Sequence, residues 1–122
     1  MTTRGIRGAI TVTADRPDLI LAATQELIEA ILRANPGLHT EDISSAIFTT
    51  TDDLLSIYPA LAARQMGWQH VPMMCAREIP VPGSLPRCVR VLVQWNTKRA
   101  QTAINHLYLR DAVSLRPDLV IS

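Results

Sequence analysis

The segment from Cys88 to Trp95 constrains this chain more than any other. Val89, Val91, Val93 and Trp95 fall on one side of it, and Cys88, Arg90, Leu92 and Gln94 fall on the other. Strict alternation of this kind marks a β-strand, whose successive side chains point to opposite faces. The Val-Val-Val-Trp face must meet a core. A strand this apolar belongs in the interior of a sheet, where an unpaired guanidinium is costly. Arg90 therefore needs a partner, either a carboxylate of the protein or an anionic ligand.

The other elements are fitted around this strand. Gly5 to Val12 alternates too, with Ile6, Gly8, Ile10 and Val12 on one face and Gly5, Arg7, Ala9 and Thr11 on the other. Asp15 is placed to cap a helix, Pro17 suits its first turn, and Asn35-Pro36-Gly37 stops it. Ile20, Ala23, Thr24, Leu27 and Ile31 form its apolar stripe. Thr40 to Asp42 predicts a helical turn, and Ile43 to Thr51, rich in Ile, Phe and Thr, predicts a strand. A short helix capped by Asp52 or Asp53 is expected to run to about Gln65, interrupted at Tyr58-Pro59, and to end at Gly67. Trp68 to Cys75 reads as a third strand, and Ala76 to Pro86, with three prolines and a glycine, reads as a stiff loop. Lys98 to about Leu107 is expected to be a second amphipathic helix, and Tyr108 to Leu115 an extended segment before a turn at Arg116-Pro117-Asp118.

The sum is an α+β domain over residues 1–122: a mixed sheet of four to five strands packed by one long helix and short helices. One main helix covers one face only. The economical cover for the other is a further copy of the chain, so a homo-oligomer closed by cyclic symmetry is expected.

Composition removes several function classes. At 122 residues the chain has room for one domain, and 48% hydrophobic residues exclude disorder. Apolar runs such as Leu19–Ala23 are far short of a membrane span. The start, Met1-Thr2-Thr3-Arg4-Gly5, carries no apolar leader, so a cytoplasmic protein with reduced Cys75 and Cys88 is expected. A net charge of +1 with no basic stripe argues against nucleic acid. His39, His70 and His106 are scattered and no CxxC or HxxxH occurs, so no metal site is expected.

The polar inventory is mostly arginine: eleven of the twelve basic residues are Arg, and Lys98 is the exception. A guanidinium fork recognises carboxylates better than an ammonium does. Arg7 has only Gly5 and Ala9 near it on its face, which leaves space beside its side chain. Glu78 starts the proline-stiffened loop, three residues after Cys75. Tyr108, Arg116, Tyr58 and Arg64 complete the set, with Arg64 on the same helix face as Ala60. No Ser–His pair or phosphate loop is present. This inventory suits binding of a small multi-carboxylate molecule, and an enzyme built from it would work by positioning and electrostatics.

The ordered motifs carry a resemblance. Arg4-Gly5-Ile6-Arg7-Gly8-Ala9, Tyr58-Pro59-Ala60 with Arg64, and Gly67-Trp68-Gln69-His70-Val71-Pro72 are followed by Cys75 with Glu78 and by Cys88-Val89-Arg90-Val91. His106-Leu107-Tyr108-Leu109 and Leu115-Arg116-Pro117-Asp118-Leu119 close the series. Together they resemble the monofunctional, homotrimeric chorismate mutases of the pseudo-α/β-barrel class, and they span the whole chain.

The resemblance implies an intramolecular Claisen rearrangement of chorismate to prephenate, towards phenylalanine and tyrosine, with no cofactor or metal and with active sites between adjacent subunits. It implies that Arg90 contacts the ether oxygen and a carboxylate, and that Arg7 binds a carboxylate with Tyr108 assisting. Glu78 and Cys75 are expected on the ring-hydroxyl side. Tyr58, Ala60, Met73, Met74 and Leu115 are expected to line the pocket, with Arg64 and Arg116 nearer its mouth. A trimeric imine deaminase and a non-catalytic binder of small carboxylates are the alternative readings.

Overall fold

The computed structural model describes residues 1–115. Its sheet has five strands, β1 (Thr2–Thr11), β2 (Ile43–Thr50), β3 (Met73–Arg77), β4 (Cys88–Thr97) and β5 (Leu107–Leu109), in the order β3-β2-β4-β1-β5. The alternating Cys88 segment is the central strand, as its apolar face requires. It pairs antiparallel with β1 and β2, while β5 joins β1 and β3 joins β2 in parallel. A register shift between Ile43 and Ser45 turns β2 so that Ile43, Ala46 and Phe48 all reach the core.

The helices α1 (Pro17–Ala34) and α2 (Ala60–Gln65) pack on one face of this sheet. The α1 stripe buries Ile20, Ala23, Thr24, Leu27, Ile28 and Ile31 against Ile6, Ile10, Val89, Val91 and Val93. Gly8 permits the close approach. A Cβ there would stand 3.0 Å from Ile31 Cδ1, 3.1 Å from Leu27 Cδ1 and 3.2 Å from Val91 Cγ1. Among the described residues no helix is long and apolar enough to cross a membrane.

Five expectations need correction. Asp15 does not cap α1. Arg16 holds the N-cap position without a side-chain bond, and the Asp15 carboxylate instead accepts from the Leu55 and Ser56 N–H groups and the Ser56 hydroxyl. Asp53 does not cap a helix either. Helix α2 begins only after Pro59, and Asp53 accepts the Arg87 N–H with both carboxylate oxygens. The strand expected from Trp68 starts at Met73, because Trp68 is buried in the turn that follows α2.

The second amphipathic helix is absent. Lys98 to Leu107 contains only a 3-10 turn at Gln101–Ala103. Buried Asn35 explains why: it accepts the Asn105 N–H at 2.9 Å and donates to the Asn105 carbonyl at 3.0 Å, so that backbone is held extended. The segment then pairs with β1 through Gly8 and Leu107. Beyond β5, residues Arg110–Leu115 form a 3-10 helix rather than an extended segment. The turn expected at Arg116 lies outside the described residues.

Among the described residues the opposite sheet face carries no α-helix. Ala112 of the last 3-10 helix packs with Ala9, Cys88 and Tyr108 at one end of it. The remainder exposes Ile47, Leu92 and Met74.

Candidate active site

The site is built on that bare face. Register places Tyr108, Ala9, Arg90, Thr49 and Ala76 side by side, one from each strand. The adjacent row runs Arg7, Leu92, Ile47 and Met74. Small residues on either side of Arg90 and Thr49 leave a hollow in the sheet surface. The resulting cavity, about 420 Å³, is lined by Arg7, Thr49, Glu78, Arg90 and Tyr108 over a floor of Gly8, Ile47, Val91 and Leu92.

Two polar atoms in its wall define its chemistry. Arg90 Nε and the Tyr108 hydroxyl are both buried and have no hydrogen-bond partner. Buried donors are nearly always satisfied, so two orphaned ones on residues lining one cavity make that cavity the candidate site for a ligand's acceptors. Glu78 is held twice. Its N–H donates to the Thr50 carbonyl at 2.9 Å, and its Oε2 accepts from the Thr49 hydroxyl. Arg7 is exposed, and its backbone N–H donates to His106 Nδ1 at 2.9 Å.

The surroundings fix these groups. Arg87, with φ of 49°, reverses the chain before β4; its N–H lies 3.0 Å from Asp53 Oδ2 and its Nε donates to the Val12 carbonyl at 3.2 Å. The Cys88 N–H donates to Thr51 Oγ1 at 3.0 Å, so the strand is anchored two residues before Arg90. Burial pushes the Cys88 thiol above its ordinary pKa, and the nearby Arg90 charge only partly opposes this. Arg110, which starts the last 3-10 helix, pairs with Glu26 at 2.9 Å and donates to the Thr11 carbonyl at 3.0 Å.

Within one chain the other expected residues lie elsewhere. Tyr58 and Cys75 line a separate cavity of about 400 Å³ with Leu54, Pro59 and Arg77. Tyr58 stands on the loop that Asp15 tethers and is 70% exposed. Ala60 is buried in the main core and Met73 packs against it, so neither joins Arg90 in its own chain. Arg64 is exposed on α2, Met74 is exposed on the outer strand, and Leu115 packs beside Tyr108 and Cys88. Arg116 lies outside the described residues. Thr49 was not singled out from the sequence; it looked like one more β-branched strand residue, and its partner Glu78 is distant along the chain.

Residues 3–119 match the family described as chorismate mutase type I. The chain belongs to that family. Chorismate mutase AroH of Thermus thermophilus is 56% identical over 116 residues, covering 95% of each chain. Chorismate mutase AroH of Bacillus subtilis (strain 168) is 42% identical over 125 residues, covering all of this chain and 96% of its own. A solved chorismate mutase from Clostridium thermocellum superposes with a TM-score of 0.87 at 46% identity, covering 90% of this chain and 97% of that one. Among the described residues neither a histidine nor a cysteine lines the cavity around Arg90; its titratable lining is Arg7, Glu78, Arg90 and Tyr108.

Proposed function

We propose that the chain rearranges chorismate to prephenate in the cavity around Arg90. The observation that carries this reading is the pair of unpartnered buried atoms, Arg90 Nε and the Tyr108 hydroxyl, beside the free guanidinium of Arg7. The substrate is a dianion. Arg7 and Arg90 hold its carboxylates, with Tyr108 assisting, and keep it in the compact conformer from which the new bond forms. As the ether C–O bond breaks, negative charge grows on its oxygen. The fixed charge of Arg90 stabilises that state more than the ground state. Glu78 faces the ring hydroxyl side.

A homotrimer completes the site. The bare face exposes Ile47, Leu92 and Met74, and the second group of expected residues, Tyr58 and Cys75 with Ala60, Arg64 and Met73, stands apart from Arg90. Packing one copy against the next brings the two groups to one cleft. Sedimentation at micromolar concentration should give three times the 13.5 kDa chain mass. A monomer would exclude this arrangement.

The test of the reaction is turnover of chorismate by the purified protein, with the product identified as prephenate by its acid conversion to phenylpyruvate. Prephenate binding without turnover would instead indicate a non-catalytic carboxylate binder. Imine hydrolysis without chorismate turnover would indicate a deaminase.

A further inference from the structure

Glu78 and Arg90 line the same cavity and carry opposite charges, yet they form no ion pair. The ion pairs among the described residues are Arg16–Asp18 and Arg110–Glu26. A carboxylate and a guanidinium free to meet in a half-buried cavity ordinarily do so, and a bidentate pair is among the stronger polar contacts. Something holds them apart.

Thr49 is the residue between them. It is the direct cross-strand neighbour of Arg90 on β2, and its hydroxyl donates to Glu78 Oε2. The backbone of Glu78 is fixed to the same strand at Thr50, so the hydroxyl selects the direction of a carboxylate whose base is already anchored. Arg90 Nε stands unpartnered beside them.

We propose that Thr49 is a positioning residue of the active site: its hydroxyl ties down the Glu78 carboxylate so that it does not neutralise Arg90. This inference deepens the proposed function and rests on it. Removing the hydroxyl lets Glu78 swing onto Arg90, where it competes with the substrate carboxylate and cancels the charge the breaking bond requires. The Thr49–Glu78 bond has one charged partner, the stronger class of hydrogen bond, so its loss should cost about tenfold or more.

The experiment is a double-mutant cycle on the full chain with two readouts, kcat for chorismate and prephenate affinity by calorimetry. Thr49→Val preserves shape and strand propensity and removes only the donor. It should lower kcat and weaken prephenate binding, each by about tenfold. Thr49→Ser, which restores the donor, should recover most of both. In the Glu78→Ala background no carboxylate remains to swing, so adding Thr49→Val should change neither readout.

A Thr49→Val protein with wild-type kcat and affinity overturns the proposal. So does a Thr49→Val loss that persists undiminished in the Glu78→Ala background, because the threonine would then act through packing alone. A Thr49→Ser variant as impaired as Thr49→Val overturns it as well. Failure of the wild-type chain to turn over chorismate refutes the proposed function instead. The affinity cycle still decides the role of Thr49 in that case.

Discussion

Replacing Arg90 by alanine tests the centre of the mechanism. The side chain is half-buried, its Nε is unpartnered, and its flanking neighbours in the row, Ala9 and Thr49, carry no charge. Arg7 stands in the next row and is exposed, so it cannot replace the lost cation. At ~3 Å and an effective dielectric of ~20, a full unit charge interacts by ~5.5 kcal/mol. If about half a unit of charge develops on the ether oxygen, the loss is ~2.8 kcal/mol, or roughly 100-fold in rate. Removal of a single oxyanion donor in other enzymes costs about 10²–10³-fold, which brackets this figure. The measurement is kcat from the loss of chorismate, with circular dichroism and sedimentation confirming an unchanged fold and assembly. Arg90→Lys should also be poor, because the ammonium keeps the charge but lacks the Nε donor and the fork. A kcat within about threefold of wild type in Arg90→Ala would refute the electrostatic role of Arg90, since the charge term alone demands far more; the same result in Arg90→Lys would refute the need for the fork and its Nε donor.

Other substitutions separate packing from chemistry. Cys75→Ser should keep substantial turnover, because no thiolate attack is involved; complete loss would reopen covalent catalysis. Gly8→Ala should destabilise the chain by about 1–3 kcal/mol, because the new methyl meets Ile31, Leu27 and Val91 at 3.0–3.2 Å, and thermal unfolding will show it. The Asp15 carboxyl is held below its ordinary value of 3.8, chiefly by the Ser56 hydroxyl and then by the Leu55 and Ser56 N–H groups. Its tether is therefore complete above about pH 3.8 and is lost as pH falls through the lowered native value. Amide exchange at Leu55 and Ser56 should accelerate in Asp15→Ala at neutral pH; unchanged protection would show that the loop does not depend on the carboxylate.

Much of this architecture was legible in the chain because its signals are local. The β4 alternation, the α1 stripe and the Pro17 start needed nothing beyond nearest neighbours in sequence. That Arg90 needs a partner followed from one strand's face polarity; that no protein carboxylate supplies it did not. What failed was non-local. The apolar spacing of Ile104 and Leu107 fits a helix, but Asn35 captures Asn105 from 70 residues away and makes the segment a strand partner of β1. Asp15 and Asp53 both looked like helix caps, and both spend their oxygens on backbone N–H groups of distant loops, at Leu55–Ser56 and at Arg87. In each case the residue type was right for capping a donor, but which donor was a matter of tertiary structure. Thr49 belongs to the same class: its strand was evident, but not that its hydroxyl faces Glu78.

The neutrality of Cys88 completes the electrostatic logic. Cys88 precedes Arg90 by two residues on β4 and so shares its face, packed with Ala9, Tyr108 and Ala112. A thiolate there would neutralise the guanidinium much as a misplaced Glu78 would. Burial holds the thiol protonated against the pull of Arg90. Thus the two groups most able to cancel the Arg90 charge are each restrained, one by desolvation and one by the Thr49 hydroxyl. A reaction that needs no proton transfer and no nucleophile needs that charge unspent and fixed in place. The central strand of the sheet, anchored just upstream by Thr51 and Asp53, holds it there.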